Sequence, residues 1–322
     1  HLIKMTRAHA NLSNCYRPLP FRQLASRDHN AKDSSLKKKD QKTSIQKARD
    51  SGNGQPRSSH GLRYLHMETS VTSASGSALV ELGHTKVLCE LIGPTTSSPD
   101  VNTPLSMEEG TLRCEVRYVP NVGFPMTALV GASASQLSDN LLQPNQISAG
   151  RMNTQIASLE KELASQLIAS LSAAVPLQAY PKHLLLLKVT ILQDDGCVLS
   201  ASTCAASLAL VDASIEVYDM VTSSAVAVMT SKNSAEEGPP LLLADPTYDE
   251  MAKADAVVTL SLLANWKEVT LWNQSGRLSS QLANEAISLC RDGCRTMHRF
   301  MRNILMDREL DGGNNDGDKM ED

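Results

Sequence analysis

Cys290, Cys294 and His298 recur every four residues near the C-terminus, so on a helix their sulfur and imidazole groups share one face and could hold a metal. A closed zinc site needs four ligands and no CxxC pair supplies the remainder, so the trio reads as a core seam. Arg113 and Arg117 flank Glu115 at alternate positions among Leu112, Cys114 and Val116. That alternation predicts a half-buried strand with two guanidinium groups on its polar face. Such a face either positions a phosphate backbone without reading bases or pairs internally with Glu115 on a solvated surface. Lys37-Lys38-Lys39 is a second electrostatic candidate, as a polyanion contact or a nuclear signal.

The elements that must position these groups are legible in outline. Ser77–Leu82 and Thr85–Ile92 alternate around Gly83-His84 and predict a hairpin. Residues 93–110 read as a loop and residues 120–150 as an exposed excursion rich in small and polar residues. Ile156, Leu159, Leu163, Leu167 and Leu171 predict a helix. Leu184–Leu192 is a continuous apolar strand apart from Lys188, and Asp194–Gly196 is a turn. The Ala-rich stretch Ser200–Ala213 predicts a helix buried between tightly packed layers, and Val221–Met229 a further strand. Lys232–Pro240 reads as a polar loop, and Leu241–Ala244, Ala256–Ala264 and Glu268–Trp272 as three strands. After Gly276 a long amphipathic helix carries Leu278, Leu282, Ala286, Leu289, Met297, Met301 and Ile304 on one side. Strands, helix, strand, helix, strands, helix favour an α+β or mixed α/β body with helices packed on a sheet.

Composition narrows the function classes. The chain has 322 residues, enough for a substantial core, and only 3% aromatics, which argues against a platform of rings stacking successive bases. Residues 1–57 carry 13 Lys/Arg against 4 Asp/Glu, whereas residues 58–322 carry 18 against 31. A basic arm on an acidic body suits a polyanion or an acidic partner, or is simply a solvated tail. Seven cysteines, an odd count mostly within apolar runs, indicate a reducing compartment without a disulfide framework. No apolar run reaches the roughly 18 residues that span a bilayer, and no compact apolar signal core opens the chain. The first residue is His1 rather than Met, which leaves the native start open. We expect a disordered basic arm over 1–58, one domain over 59–306 and a disordered acidic tail over 307–322.

Four segments, in order, resemble the RNase PH family: Gly76–Cys89, an opening hairpin; Leu192–Gly196, a strand end and turn; Ala205–Ala213, a buried helix; and Ile215–Val221, a link. The likeness runs over roughly residues 60–305. It implies an α+β RNase PH-like fold (ribosomal protein S5 domain 2-like), with helices packed on mixed β-sheets. Glu216–Val221, the Asp-Gly turn and Leu243–Thr247 are similar, within the family, to a ring subunit of the eukaryotic RNA exosome.

The same resemblance tests the chemistry. A phosphorolytic nuclease holds phosphate beside the 3′-terminal phosphodiester, which requires cations, preorganised donors and a carboxylate. Active relatives place Thr-Arg after the Asp-Gly-Gly turn; here Val198 and Leu199 stand there, behind Asp195. Where arginine precedes the central helix stand Ser158 and Leu159, with Glu162 matching the helix glutamate and Arg151 about two helical turns away. Of two aspartates six residues apart, Asp245 fits the first, while the second falls on Met251, whose thioether is neither acid nor base. Asp249 or Asp255 would fill that place in a shifted register. In the unshifted register Asp195 orders its turn and Asp245 orients a strand end.

The resemblance therefore implies a non-catalytic subunit with no cofactor and no metal. It works beside other RNase PH-like ring subunits and a cap subunit carrying an RNA-binding domain, around single-stranded RNA and away from membranes. Nucleus and nucleolus, and also cytoplasm, are the compartments it implies. The alternative is an active phosphate-dependent 3′-to-5′ exoribonuclease.

Overall fold

The computed structural model describes residues 49, 57–96, 106–119, 149–229 and 240–313. The first sheet holds β1 (Leu65–Thr69), β2 (Gly76–Leu82), β3 (Thr85–Thr95), β4 (Thr111–Tyr118) and β5 (Leu184–Gln193), in the order β1-β2-β3-β5-β4. Every pair is antiparallel except β4 with β5. A parallel pair needs a crossover, and the long connection between these two strands contains α1 (Ala149–Leu171), which packs on β4. β5 reads as an apolar run because it lies inside this sheet, between β3 and β4.

The second sheet holds β6 (Val221–Met229), β7 (Leu241–Ala244), β8 (Ala256–Leu263) and β9 (Val269–Gly276), all antiparallel, in the order β7-β6-β8-β9. Between the sheets runs α2 (Val198–Asp212), touching β2 and β3 on one side and β6 and β8 on the other. All of its residues are buried. That position explains the run of Ala and Ser: larger side chains would push the layers apart. Gly76 marks the closest approach, since a Cβ there would lie 2.3 Å from the Ala209 carbonyl oxygen. The last helix, α4 (Ser280–Gly313), covers β6, β7 and β8, and the six-residue α3 (Tyr248–Lys253) links β7 to β8.

The hairpin, the apolar strand, the buried helix and the amphipathic C-terminal helix stand where the pattern put them. Cys290 and Cys294 line the core seam under α4, with their thiols directed at the carbonyls of Val258 and Leu260. Burial pushes the Cys290 thiol up to about 12.

Two expected boundaries shift. Arg49 and Arg57, inside the stretch 1–58 expected to be a disordered arm, are buried against the body. The helix expected to end at Met306 continues through residues 307–313 of the expected tail, reaching Gly312-Gly313 before it stops. Arg308, Glu309 and Leu310 there are good helix formers, and the two glycines follow at 312 and 313. Strand β1 and helix α3 went unpredicted, and β9 runs four residues beyond Trp272. Lys37, Lys38 and Lys39 lie outside the described residues, as do most of 120–150 and most of Lys232–Pro240.

Candidate functional site

Three chain segments meet at one end of the first sheet: the turn after β5, the turn between β7 and α3, and the approach to β1. Asp194 caps its own turn, its Oδ1 accepting the Gly196 N–H at 2.9 Å. Thr85 holds the same turn from β3, accepting from Asp195 N at 3.0 Å and donating to the Gly196 carbonyl at 2.8 Å. Gly196 has φ of 89°, and a side chain there would come within 2.8 Å of Tyr248 N and 3.1 Å of Met251 Sδ. The Asp-Gly turn therefore packs directly on the start of α3, with the Tyr248 N–H bonded to the Asp195 carbonyl at 3.0 Å.

Arg63 ties the segments together. Its Nε and Nη2 grip Asp245 at 3.0 and 2.8 Å, and its backbone N–H reaches the same carboxylate at 2.8 Å. Its remaining donors go to the carbonyls of Asp195 at 2.8 Å and Gly196 at 3.1 Å. Arg57 donates to the Asp245 carbonyl at 2.8 Å and to Glu250 at 3.3 Å. Arg49 pairs with Glu250 through Nε and bonds the carbonyls of Ser58, Ser59 and Ala244. Glu250 also closes a capping box with Thr247 at the start of α3. Burial alone would raise the Asp245 carboxyl, but the Arg63 and Arg57 charges and the Arg63 donors hold it below the usual range. Glu250 is likewise held low, against burial, by Arg49, the Thr247 N–H and Arg57. Burial, with the neighbouring Arg49 charge, lowers Arg57.

The structure thus gathers Asp195, Val198, Leu199, Asp245 and Met251 into one locale. Val198 and Leu199 form the first turn of α2 and are buried, offering only apolar surface where the resemblance asks for a phosphate-holding pair. Cys197 before them adopts φ of 60°, and its thiol reaches the Pro246 carbonyl at 3.2 Å. Asp245 does more than orient a strand end: it is the buried anion around which two arginines assemble. Ser158 is exposed and Leu159 half-buried on α1. The neighbouring Glu160, rather than either of them, reaches the rim, accepting the Tyr118 N–H at 2.9 Å. Tyr118 in turn bonds Asp194. Burial raises the Asp194 carboxyl despite that bond and the Gly196 N–H. Asp249 is exposed on α3, and Asp255 sits at the opposite end of that helix, where its N–H bonds the Val228 carbonyl.

Arg113 and Arg117 share the outward face of β4 with Glu115, Arg113 half-buried and Arg117 exposed. β4 runs parallel to β5 and ends at Tyr118, at the Asp194 end of the sheet.

Sequence reasoning missed Arg49, Arg57, Arg63 and Glu250. Two signals pointed to them. Asp245 directly follows the apolar run Leu241–Ala244, where a buried carboxylate needs a cation. Thr247-x-x-Glu250 has the spacing of a capping box.

The family described as 3′ exoribonuclease family, domain 1, matches residues 61–216. Among curated proteins, Exosome complex component MTR3 of Homo sapiens is 30% identical over 249 residues, covering 73% of this chain and 79% of that protein. Exosome complex component RRP41-like of Arabidopsis thaliana is 27% identical over 247 residues, 76% of this chain and 81% of its own. The Rrp41 exosome component of Methanopyrus kandleri is 26% identical over 248 residues, 77% and 89% of the two chains. Among solved structures, rice (Oryza sativa) Rrp46 superposes with a TM-score of 0.56 at 19% identity, over 77% of this chain and 98% of that one. That likeness shows the RNase PH fold.

Proposed function

The chain belongs to the RNase PH family of 3′ exoribonucleases, and from that membership we propose that it is a non-catalytic ring subunit of the RNA exosome. It supports 3′-to-5′ RNA processing and degradation by helping to wall the channel through which single-stranded RNA is threaded. Its neighbours are other RNase PH-like ring subunits and an RNA-binding cap subunit, in the nucleus and nucleolus and also in the cytoplasm. Glu216–Val221 and Leu243–Thr247 favour the mRNA transport regulator three type of subunit (exosome component six).

One observation carries the non-catalytic reading: the charge at the site is already spent internally. Arg49, Arg57 and Arg63 face Glu250, Asp245 and Asp195. A phosphate ion entering beside Val198 and Leu199 meets two buried apolar side chains and guanidinium groups committed to carboxylates and carbonyls. Electrostatic stabilisation of a displaced phosphoryl group needs donors aimed at the reacting oxygens, and these point elsewhere. RNA contact then falls to Arg113 and Arg117, and to Lys37, Lys38 and Lys39, as sequence-independent phosphate contacts.

The test is purification with native partners, followed by incubation of the chain, alone and in complex, with RNA and inorganic phosphate. The reading expects RNase PH-like partners and no nucleoside diphosphate released by this chain. Phosphate-dependent release that Asp195→Ala or Asp249→Ala abolishes would establish the alternative, an active phosphorolytic exoribonuclease.

A further inference from the structure

We infer that the outer face of α4 is a docking surface for the acidic end of the same chain, Asp318–Asp322, which shields it from other polyanions. The inference stands apart from the ring-subunit reading. On α4, Arg291, Arg295, Arg299 and Arg302 follow one another at steps of four, four and three residues. Such steps keep side chains on one face of a helix, so the four guanidinium groups form a single stripe. All four are exposed. Arg295 meets Asp292 at 2.7 Å, an exposed pair within one helical turn. Arg291, Arg299 and Arg302 make no ion pair with another described residue.

The stripe differs in sign from its surroundings. Residues 58–322 carry 18 Lys/Arg against 31 Asp/Glu, yet residues 286–306 carry four arginines against one aspartate. The opposite side of α4 is committed to the core through Ala286, Cys290, Cys294, Met297 and Met301. Asn284, Ser288 and Met306 extend the exposed stripe and offer no ring on which a base would stack. A planar guanidinium takes a carboxylate in a two-pronged grip, so an acidic segment suits this face.

The chain itself brings such a segment. α4 stops at Gly312-Gly313, and glycine there admits the left-handed turn that reverses a chain at a helix end. Residues 314–322, which lie outside the described residues, carry Asp316, Asp318, Glu321 and Asp322 against Lys319 alone. Arg302 lies 11 residues before Gly313 and Arg295 lies 18 before it, about 17 and 27 Å along the helix. Nine extended residues span about 30 Å, so Asp318 comes level with Arg302 and Asp322 with Arg295. The competing basic segment, residues 1–48, starts from Arg49, which is fixed to Glu250 on α3. The tail starts on α4 itself, and a short tether raises its local concentration. Exposed ion pairs are individually weak, so summed charge holds the segment and salt releases it.

The full chain carrying Arg299→Lys is treated at low salt with a carbodiimide, which joins an amine to a touching carboxylate, and linked peptides are read by mass. The new amine at position 299 links to Asp318, Glu321 or Asp322. In about 1 M salt, where screening acts within about 3 Å, the yield falls by about tenfold or more. Heparin serves as a second, polyanionic probe. A chain ended at Gly313 binds it about tenfold more tightly than the full chain, and Arg291→Gln, Arg295→Gln, Arg299→Gln and Arg302→Gln together abolish that gain. Absence of the link, no gain on truncation, or a gain that survives the four substitutions overturns the inference. Links from the tail to Lys37, Lys38 or Lys39 instead put it on the arm, and links only between isotopically light and heavy chains put it on a second copy. Either result also overturns it, and none of these outcomes touches the ring reading.

Discussion

The two edges of the second sheet are finished in opposite ways. At β7 the chain covers itself: Ser59 takes the Ala244 N–H, and Arg49 takes the Ala244 carbonyl and Glu250. At β9 nothing charged stands along eight residues, and large apolar side chains remain in solvent. The first edge is closed by ions that stabilise only when each has its partner. The second packs against α1 and keeps Val269 and Trp272 partly in solvent. At the site end the charged groups serve the fold, each guanidinium paired with a carboxylate of another segment.

The comparison breaks most sharply at Arg63. Replacing it with Met strands Asp245 in a buried position and frees the Asp195 and Gly196 carbonyls, so urea unfolding should show a loss of about 3–5 kcal/mol. The double change Arg63→Met with Asp245→Leu should cost less than the sum of the singles, a coupling measurable by a double-mutant cycle. Arg49→Met acts at a mostly buried carboxylate and three carbonyls, and about 1–3 kcal/mol is expected.

Acid sharpens the same contrast. Asp245 and Glu250 have folded pKa values below their unfolded ones, so the folded state binds protons less readily. Their contribution is complete above about pH 5 and is lost as pH falls through the depressed values. Asp194, raised by burial, works in the opposite sense and gains folded stability on protonation. Urea midpoints measured from pH 7 down to pH 3 should fall, and Asp245→Asn should flatten that fall. The smallest effect belongs to the other edge: Trp272→Lys should change the stability of the isolated chain by less than about 0.5 kcal/mol. A loss comparable to that of Arg63→Met would mean that β9 is not a bare edge.

What was legible followed from local periodicity. Alternation in Gly76–Cys89 gave the hairpin, and the Ala-rich stretch before Ala213 demanded a helix with no room around it, which α2 is. The sequence singled out Val198, Leu199, Asp245 and Met251, which lie near the Asp-Gly turn in the structure, whereas Ser158 and Leu159 of the same set stay on α1. The closure of that set was not legible, because its ties are long: Arg63 meets Asp245 across 182 residues and Arg49 meets Glu250 across 201. Inside a basic, polar stretch, nothing local distinguishes an arginine destined for burial from a solvated one. Six-residue α3 and five-residue β1 are too short for a period to show.

The span between Arg63 and Asp245 also sets an order of events on the ribosome. At usual elongation speeds Arg63 is synthesised roughly 10–40 s before its carboxylate exists. All five strands of the first sheet have been made by Gln193, so that sheet is complete in sequence while its arginines still lack their counterions. The cluster is thus tied only after the first sheet has been made, and a ribosome stalled between Gln193 and Asp245 would present unpaired, cationic and sticky polypeptide to the chaperones around it.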